Sequence, residues 1–307
     1  MFSMNRLLIL LVFLAQAGCG QEPAQTGKPG NDSIASGNGK EEFIRAKTEF
    51  RSPESVCSDG KFFYVSNVGG KLAPSEKDGD GYILRLEREG SIVGKVAEGV
   101  ALHAPKGMAI ANGILYVSDI DRLVAIDLDR DMLLFDSECP ERTVFLNDVE
   151  TGDGLLYISA TDISRIFTFD LKTKTWSALQ VDGLTSPNGL YYDRDSSMLY
   201  CVEYPATPTG RLLRINPVTG RGQTGGTFRG SLDGVSMTEN RKIIFSDWES
   251  GSIRTLDLVT AVESAIPFQK LGGPADLYYD REEKVVWIPR MIENQLAKIQ
   301  LMPTTEK

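Results

Sequence analysis

The sequence predicts an all-β protein, a six-bladed β-propeller with four-stranded blades. Three observations predict it. First, a lead motif recurs six times: Pro or Leu, a variable residue, usually a small or acidic residue, then an aliphatic. Its copies are Pro53-Glu54-Ser55-Val56, Pro105-Lys106-Gly107-Met108, Leu146-Asn147-Asp148-Val149, Pro187-Asn188-Gly189-Leu190, Leu232-Asp233-Gly234-Val235 and Pro274-Ala275-Asp276-Leu277. The variable residues fall at 54, 106, 147, 188, 233 and 275, a period near forty residues that marks a repeat architecture. Second, each motif is followed by short β-prone strands with turn residues between them. Third, no ten-residue stretch carries a clean helical period.

The units read the same way in order. A short apolar strand follows the lead motif. A turn and a strongly β-prone strand come next, as in Phe63-Tyr64-Val65-Ser66, Ile114-Leu115-Tyr116-Val117 and Ile243-Ile244-Phe245-Ser246. An alternating strand follows, as in Tyr82 to Leu86 or Arg165 to Phe169, with the period of two that one buried face requires. A turn such as Asn216-Pro217-Val218-Thr219-Gly220 leads to a weaker fourth strand. Radial repetition of such sheets leaves only short edges. The last unit has three obvious strands, so the segment at about 43–48 is expected to add the missing outer strand and close the ring.

The 307 residues carry 33 Lys+Arg against 42 Asp+Glu, a formal net charge of -9. Nucleic acid binding wants a basic face, so nucleic acid is not an expected partner. Asn5-Arg6, the apolar run Leu7 to Leu14 and Ala15-Gln16-Ala17-Gly18-Cys19 read as a targeting segment. The small pair before Cys19 resembles a bacterial lipoprotein signal, which implies a signal peptide over 1–18 and an acylated Cys19. Residues 19–40 are too polar to bury a core and are expected to be a disordered linker, leaving 41–307 for the propeller. The expectation is an exported monomer, anchored by lipid to the periplasmic side of a bacterial membrane. Gly20 in place of Asp favours the outer one. Cys57, Cys139 and Cys201 show no metal-ligand spacing and are expected to be buried thiols with at most one pair.

Propeller geometry gathers the six variable residues, Glu54, Lys106, Asn147, Asn188, Asp233 and Ala275, around the mouth of the central channel. The loops after the second strands form the rim, with Asp119, Asp121, Asp162, Glu203, Tyr204, Asp247, Trp248 and Arg290. An acidic ring inside such a rim makes a small-molecule pocket. Two carboxylates and two amides are hard oxygen donors suited to Ca²⁺, Mg²⁺ or Mn²⁺. Asn-Gly and Asp-Gly also serve as turn residues, but four donors at one repeat position outweigh that reading. His103 is the only histidine, and no Gly-x-Ser-x-Gly elbow is present. Asp78-Gly79-Asp80-Gly81 lacks the distal Glu of a calcium loop and reads as a flexible rim loop.

The lead motifs with Glu54, Asn147-Asp148, Pro187-Asn188-Gly189 and Asp233-Gly234, together with Phe245-Ser246-Asp247-Trp248, resemble the SMP-30/gluconolactonase family over about residues 43–301. The resemblance implies a divalent cation, commonly calcium, held by Glu54, Asn188 and Asp233. It implies a hydrolase of a lactone or related ester, with Asp233 as general base and Asn147 contacting metal-bound water or substrate. Lys106 would stabilise developing negative charge. Asp119, Asp121, Glu203, Asp247, Trp248 and Arg290 would line the substrate pocket. The sequence departs from the sugar lactonases at Phe145, where they carry Arg, at Ser55-Val56, where they carry Gly-Pro, and at Lys106. A non-catalytic propeller related to NHL-type repeats, binding a small ligand or a partner protein, is the rival expectation.

Overall fold

The computed structural model describes residues 41–44, 49–207, 209–266 and 270–301; the targeting segment, Cys19 and the linker lie outside them. Strand β1 (Glu41–Ile44) comes first. The first blade is β2 (Pro53–Ser58), β3 (Phe63–Asn67), β4 (Tyr82–Leu86) and β5 (Ile92–Lys95). The second is β6 (Pro105–Ala111), β7 (Ile114–Asp119), β8 (Arg122–Asp127) and β9 (Met132–Glu138). The third is β10 (Leu146–Gly152), β11 (Leu155–Ala160), β12 (Arg165–Asp170) and β13 (Trp176–Leu179). The fourth is β14 (Pro187–Asp193), β15 (Met198–Glu203), β16 (Thr209–Ile215) and β17 (Gly222–Arg229). The fifth is β18 (Leu232–Met237), β19 (Lys242–Asp247), β20 (Ser252–Asp257) and β21 (Glu263–Ala265). The sixth contributes β22 (Tyr278–Asp280), β23 (Val285–Arg290) and β24 (Gln295–Gln300).

Each blade is a four-stranded antiparallel meander, and the sixth is completed by β1 in the order β1-β24-β23-β22. The closing strand pairs Glu41 with Ile299 through Ile44 with Leu296. It therefore begins two residues before the predicted segment, whose last residues, 45–48, lie outside the described ones. Apart from one turn of 3-10 helix at Met291–Glu293, the described residues are strands and loops. No helix among them is long and apolar enough to cross a membrane.

The core is not central. It is divided among the six interfaces between blades. The aliphatic residue that ends each lead motif enters one of them: Met108, Val149, Leu190, Val235, Leu277 and Val56. The β-prone second strands supply the largest members, including Tyr64, Phe245 and Trp287. In the closing interface the Phe63 ring lies 4.6 Å from Trp287. Each such apolar side chain is worth roughly 1.5–3 kcal/mol when fully buried. The ring is thus held by many equivalent contacts, and its axis is left to polar residues.

Candidate functional site

A repeated backbone irregularity builds the ring. In five blades the pairing of the first two strands skips: Pro53 faces Asn67 and Val56 faces Val65, and the same shift recurs at Pro105/Met108, Leu146/Val149, Pro187/Leu190 and Leu232/Val235. Two residues then oppose one, which is a β-bulge, and a bulge re-aims a side chain. The first bulged residues are Glu54, Lys106, Asn147, Asn188 and Asp233. The single residue opposite is Ser66, Ser118, Ser159, Val202 or Ser246. These serines satisfy what the bulge frees: Ser55 N–H donates to Ser66 Oγ (2.9 Å), Asp148 N–H to Ser159 Oγ (2.8 Å) and Gly234 N–H to Ser246 Oγ (2.8 Å).

The same hydroxyls tie one blade to the next. Ser246 Oγ donates to the Ala275 carbonyl at 2.8 Å, and Ser118 Oγ donates to the Asn147 carbonyl. Backbones approach so closely here that a Cβ on Gly189 would lie 2.3 Å from the Asp233 carbonyl oxygen, and one on Gly234 2.5 Å from Leu277 N. This fixes glycine at the second bulge position in those blades, beyond any turn preference.

The five polar ring residues are buried, none more than 7% exposed. Glu54 Oε2 and Asp233 Oδ1 are buried with no hydrogen-bond partner. The Asn147 amide touches Thr161 Oγ1 at 3.4 Å. The Lys106 ammonium donates to the Ala104 carbonyl (3.2 Å) and lies 4.7 Å from the centre of the Phe145 ring. Among the described residues it enters no salt bridge with Glu54 or Asp233. Burial raises the Glu54 carboxyl well above its ordinary range, and Asp233 and Asp276 raise it further. Burial lifts Asp233 to about 8, with Asp148 adding to it, and pulls Lys106 down to about 8 against the attraction of Glu54.

A second acidic layer lies directly behind the ring. Asp148 accepts from Val149 N–H (2.7 Å) and, across the blade boundary, from Leu190 N–H (2.6 Å). Asp276 accepts from Ser55 Oγ at 2.6 Å across the closing interface. Burial pushes both carboxyls up, Asp148 to about 6. The sequence held the signal for this layer, since Asp148 and Asp276 occupy one repeat position three blades apart, but only the bulge shows that the residue after the ring also turns inward.

The rim departs from expectation. Asp119, Glu203 and Asp247 are buried and committed within the protein. Asp119 accepts from Ala104 N–H (2.8 Å) and pairs with Arg122 (2.8 Å). Glu203 accepts from Thr185 N–H (2.9 Å) and pairs with Arg211 (2.6 Å). Asp247 accepts from Ser231 N–H (3.2 Å) and Ser250 Oγ (2.6 Å). Each ends a second strand and pins the approach to a ring residue, so these acids act on the backbone. Asp162 does the same for Val144 N–H (2.9 Å). Asp121 is more exposed and pairs with Lys77 at 2.5 Å. Arg290 is buried against Glu293 and Gln295. Trp248 is half-buried, its indole against Gly273. His103 gives its backbone N–H to Asp119, and its Nδ1 is buried without a partner. Cys57, Cys139 and Cys201 are free thiols, and Cys139 is only half-buried.

A cavity of about 600 Å³ is lined by the far ends of the first strands, away from the ring residues. Asp148, Glu150, Asp276, Tyr191, Tyr278 and Arg281 are among its lining residues. No ring residue lines it. Within it Glu150 accepts from Thr151 N–H at 2.6 Å.

The residues at the mouth suit a hard divalent cation. Two buried carboxylate oxygens lack partners, and Asn188, 4% exposed, adds an amide to the ring. No group of three His, Cys, Asp or Glu side chains among those residues is placed to hold a metal. An ion here would therefore rest on amide oxygen as well as carboxylate, as hard cations accept.

No family model matches the chain, and no curated protein does. Solved structures do. A catalytically inactive virginiamycin B lyase from Staphylococcus aureus with quinupristin is similar over 86% of this chain and 100% of its own, at 16% identity and TM-score 0.59. An auxiliary nutrient binding protein from Bacteroides thetaiotaomicron is similar over 84% of this chain and 72% of its own, at 12% identity and TM-score 0.64. A chain of a nidogen/laminin complex is similar over 78% and 93%, at 18% identity and TM-score 0.60. At these identities the likeness is one of fold: the chain is a six-bladed β-propeller, an architecture shared by proteins of unrelated activities.

Proposed function

We propose that the protein is a divalent-cation-dependent hydrolase of a lactone or related ester, of the SMP-30/gluconolactonase kind. In this reading it is exported and held at a bacterial membrane through Cys19. One observation supports it most: Glu54 Oε2 and Asp233 Oδ1 are buried without partners in a ring where Asp233 raises the cost of ionising Glu54. Buried unpaired carboxylates are costly unless a proton or a cation satisfies them. Glu54, Asn188 and Asp233 would hold the cation, calcium before magnesium or manganese. Bound there, it supplies Lewis-acid polarisation of the ester carbonyl. Asp233 takes the proton of the attacking water, Asn147 orients water or substrate, and Lys106 offers positive charge beside the developing oxyanion.

Thermal unfolding of the metal-free protein, with Ca²⁺, Mg²⁺ and Mn²⁺ titrated back, tests this. A ligand confined to the folded state stabilises it by about 2.7 kcal/mol at a hundred times its dissociation constant. The shift is expected in the wild type and lost in Asp233→Ala. No shift with any of the three ions retires the reading. The rival, a non-catalytic binding propeller, is favoured by one feature: the only ring cation, Lys106, is 1% exposed and already engaged by Ala104 and Phe145. It predicts unchanged stability with metal and tolerance of Asp233→Ala.

A further inference from the structure

The channel mouth is closed on one side. Val68, Ile120 and Met291, which follow the second strands of blades one, two and six, pack with Ala104 and Ala275 into a buried apolar cluster. Blades three, four and five instead carry half-buried aromatics beside the ring: Phe145, Tyr204 and Trp248.

The backbones that carry Phe145 and Tyr204 are hydrogen-bonded in place. Phe145 sits two residues before Asn147. Its N–H donates to Thr143 Oγ1 (3.1 Å) and its carbonyl accepts from Thr161 N–H (3.1 Å). Tyr204 N–H donates to the Ser186 carbonyl (2.9 Å), two residues before Asn188. Its phenol lies near Ser231 and Asp233. Phe145 thus lies against Lys106, and Tyr204 beside Asp233, both ring residues.

The rim carboxylates that could read substrate hydroxyls on this side are already engaged. Asp162 is bound to Thr143 and Val144, Glu203 to Arg211 and Thr185, and Asp247 to Ser231 and Ser250. A sugar lactone brings several hydroxyls, and each left unmatched in a closed site carries a desolvation cost. Alkyl or aryl groups need only the aromatic faces.

We infer that the substrate is a lactone or ester whose acid or alcohol part is an alkyl or aryl group, clasped between Phe145 and Tyr204, and not a polyhydroxylated sugar lactone. This rests on the hydrolase reading, so the test measures binding apart from turnover. Two lactams of the same ring size serve as non-hydrolysable probes, one carrying a hexyl chain and one carrying hydroxyls. Each is titrated into calcium-loaded protein by calorimetry, and the corresponding lactones are assayed for hydrolysis.

The hexyl lactam is expected to bind at least about tenfold more tightly than the polyol, and Phe145→Ala and Tyr204→Ala each to weaken it by roughly tenfold. Phe145→Leu, which keeps apolar surface, should restore most of the affinity. Equal or tighter binding of the polyol, binding unchanged in both alanine variants, or no binding of either lactam overturns the inference. The expected binding pattern with neither lactone hydrolysed retires the hydrolase reading and leaves the recognition surface standing. Preferential hydrolysis of the polyol lactone does the reverse.

Discussion

After the second strand, blades one, two and six place Val68, Ile120 and Met291, while blades three, four and five place Thr161, Tyr204 and Trp248. The backbone is the same at five of these six positions, Ile120 alone taking a left-handed turn with φ 60°. Val68 N–H donates to the Ser52 carbonyl at 3.0 Å, Met291 N–H to Gly273 at 2.9 Å, Tyr204 N–H to Ser186 at 2.9 Å and Trp248 N–H to Ser231 at 2.9 Å. One position in one repeat thus yields a dry plug on one half and, on the other, a buried threonine and two half-buried aromatics. The plug is buried because aliphatic side chains have no polar atom to satisfy and close on each other. The aromatics pack less completely: the Tyr204 phenol turns toward Ser231 and Asp233, and the Trp248 indole lies against Gly273. Repetition supplies the frame, and the departures from it aim the site.

This contrast can be broken at one position. Ile120→Ala removes a side chain that is 1% exposed and should cost about 2–5 kcal/mol, read as a drop in the denaturant midpoint. Tyr204→Ala, at the equivalent place, should cost under about 1 kcal/mol in stability while weakening ligand binding. Equal costs at the two positions would show that the aromatic is as structural as the plug.

Between those extremes lies the latch beneath both halves. Ser246→Ala leaves Gly234 N–H and the Ala275 carbonyl without their partner. Unsatisfied buried groups cost about 1–3 kcal/mol each, so unfolding should shift accordingly without altering the apolar plug.

The charge on the first strand of blade three should appear as pH dependence. Burial first, and Asp148 second, raise the Glu150 carboxyl to about 8, with Arg194 opposing. The folded state therefore holds this proton more tightly than the unfolded chain. The stability it confers is full below its ordinary value of 4.5 and is lost as pH rises toward about 8. Each tenfold gain in proton affinity on folding corresponds to about 1.4 kcal/mol. Glu150→Gln should flatten the fall in melting temperature over that window; an unchanged slope would place the titration elsewhere. The smallest expected effect is at the outermost rim. Breaking the exposed Lys77–Asp121 pair with Lys77→Ala should change stability by under about 1 kcal/mol, and a larger change would show that the Gly69–Gly81 loop braces the mouth.

The sequence by itself determined the fold. Blade count, strand order and ring positions all follow from a period near forty residues and from alternation within strands, and both are local. The four-serine pattern opposite the bulges was also present in it, at Ser66, Ser118, Ser159 and Ser246, although nothing local shows that those hydroxyls close a bulge. What only the tertiary structure decided is which polar groups remain free. Asp119, Glu203 and Asp247 are as acidic in the sequence as Glu54 and Asp233. The first three meet Arg122, Arg211 and Ser250 together with backbone N–H groups, whereas Glu54 and Asp233 each keep one oxygen without a partner. A carboxylate's role depends on what desolvates it and what it touches, and across a ring those partners come from strands and blades that no sequence window contains.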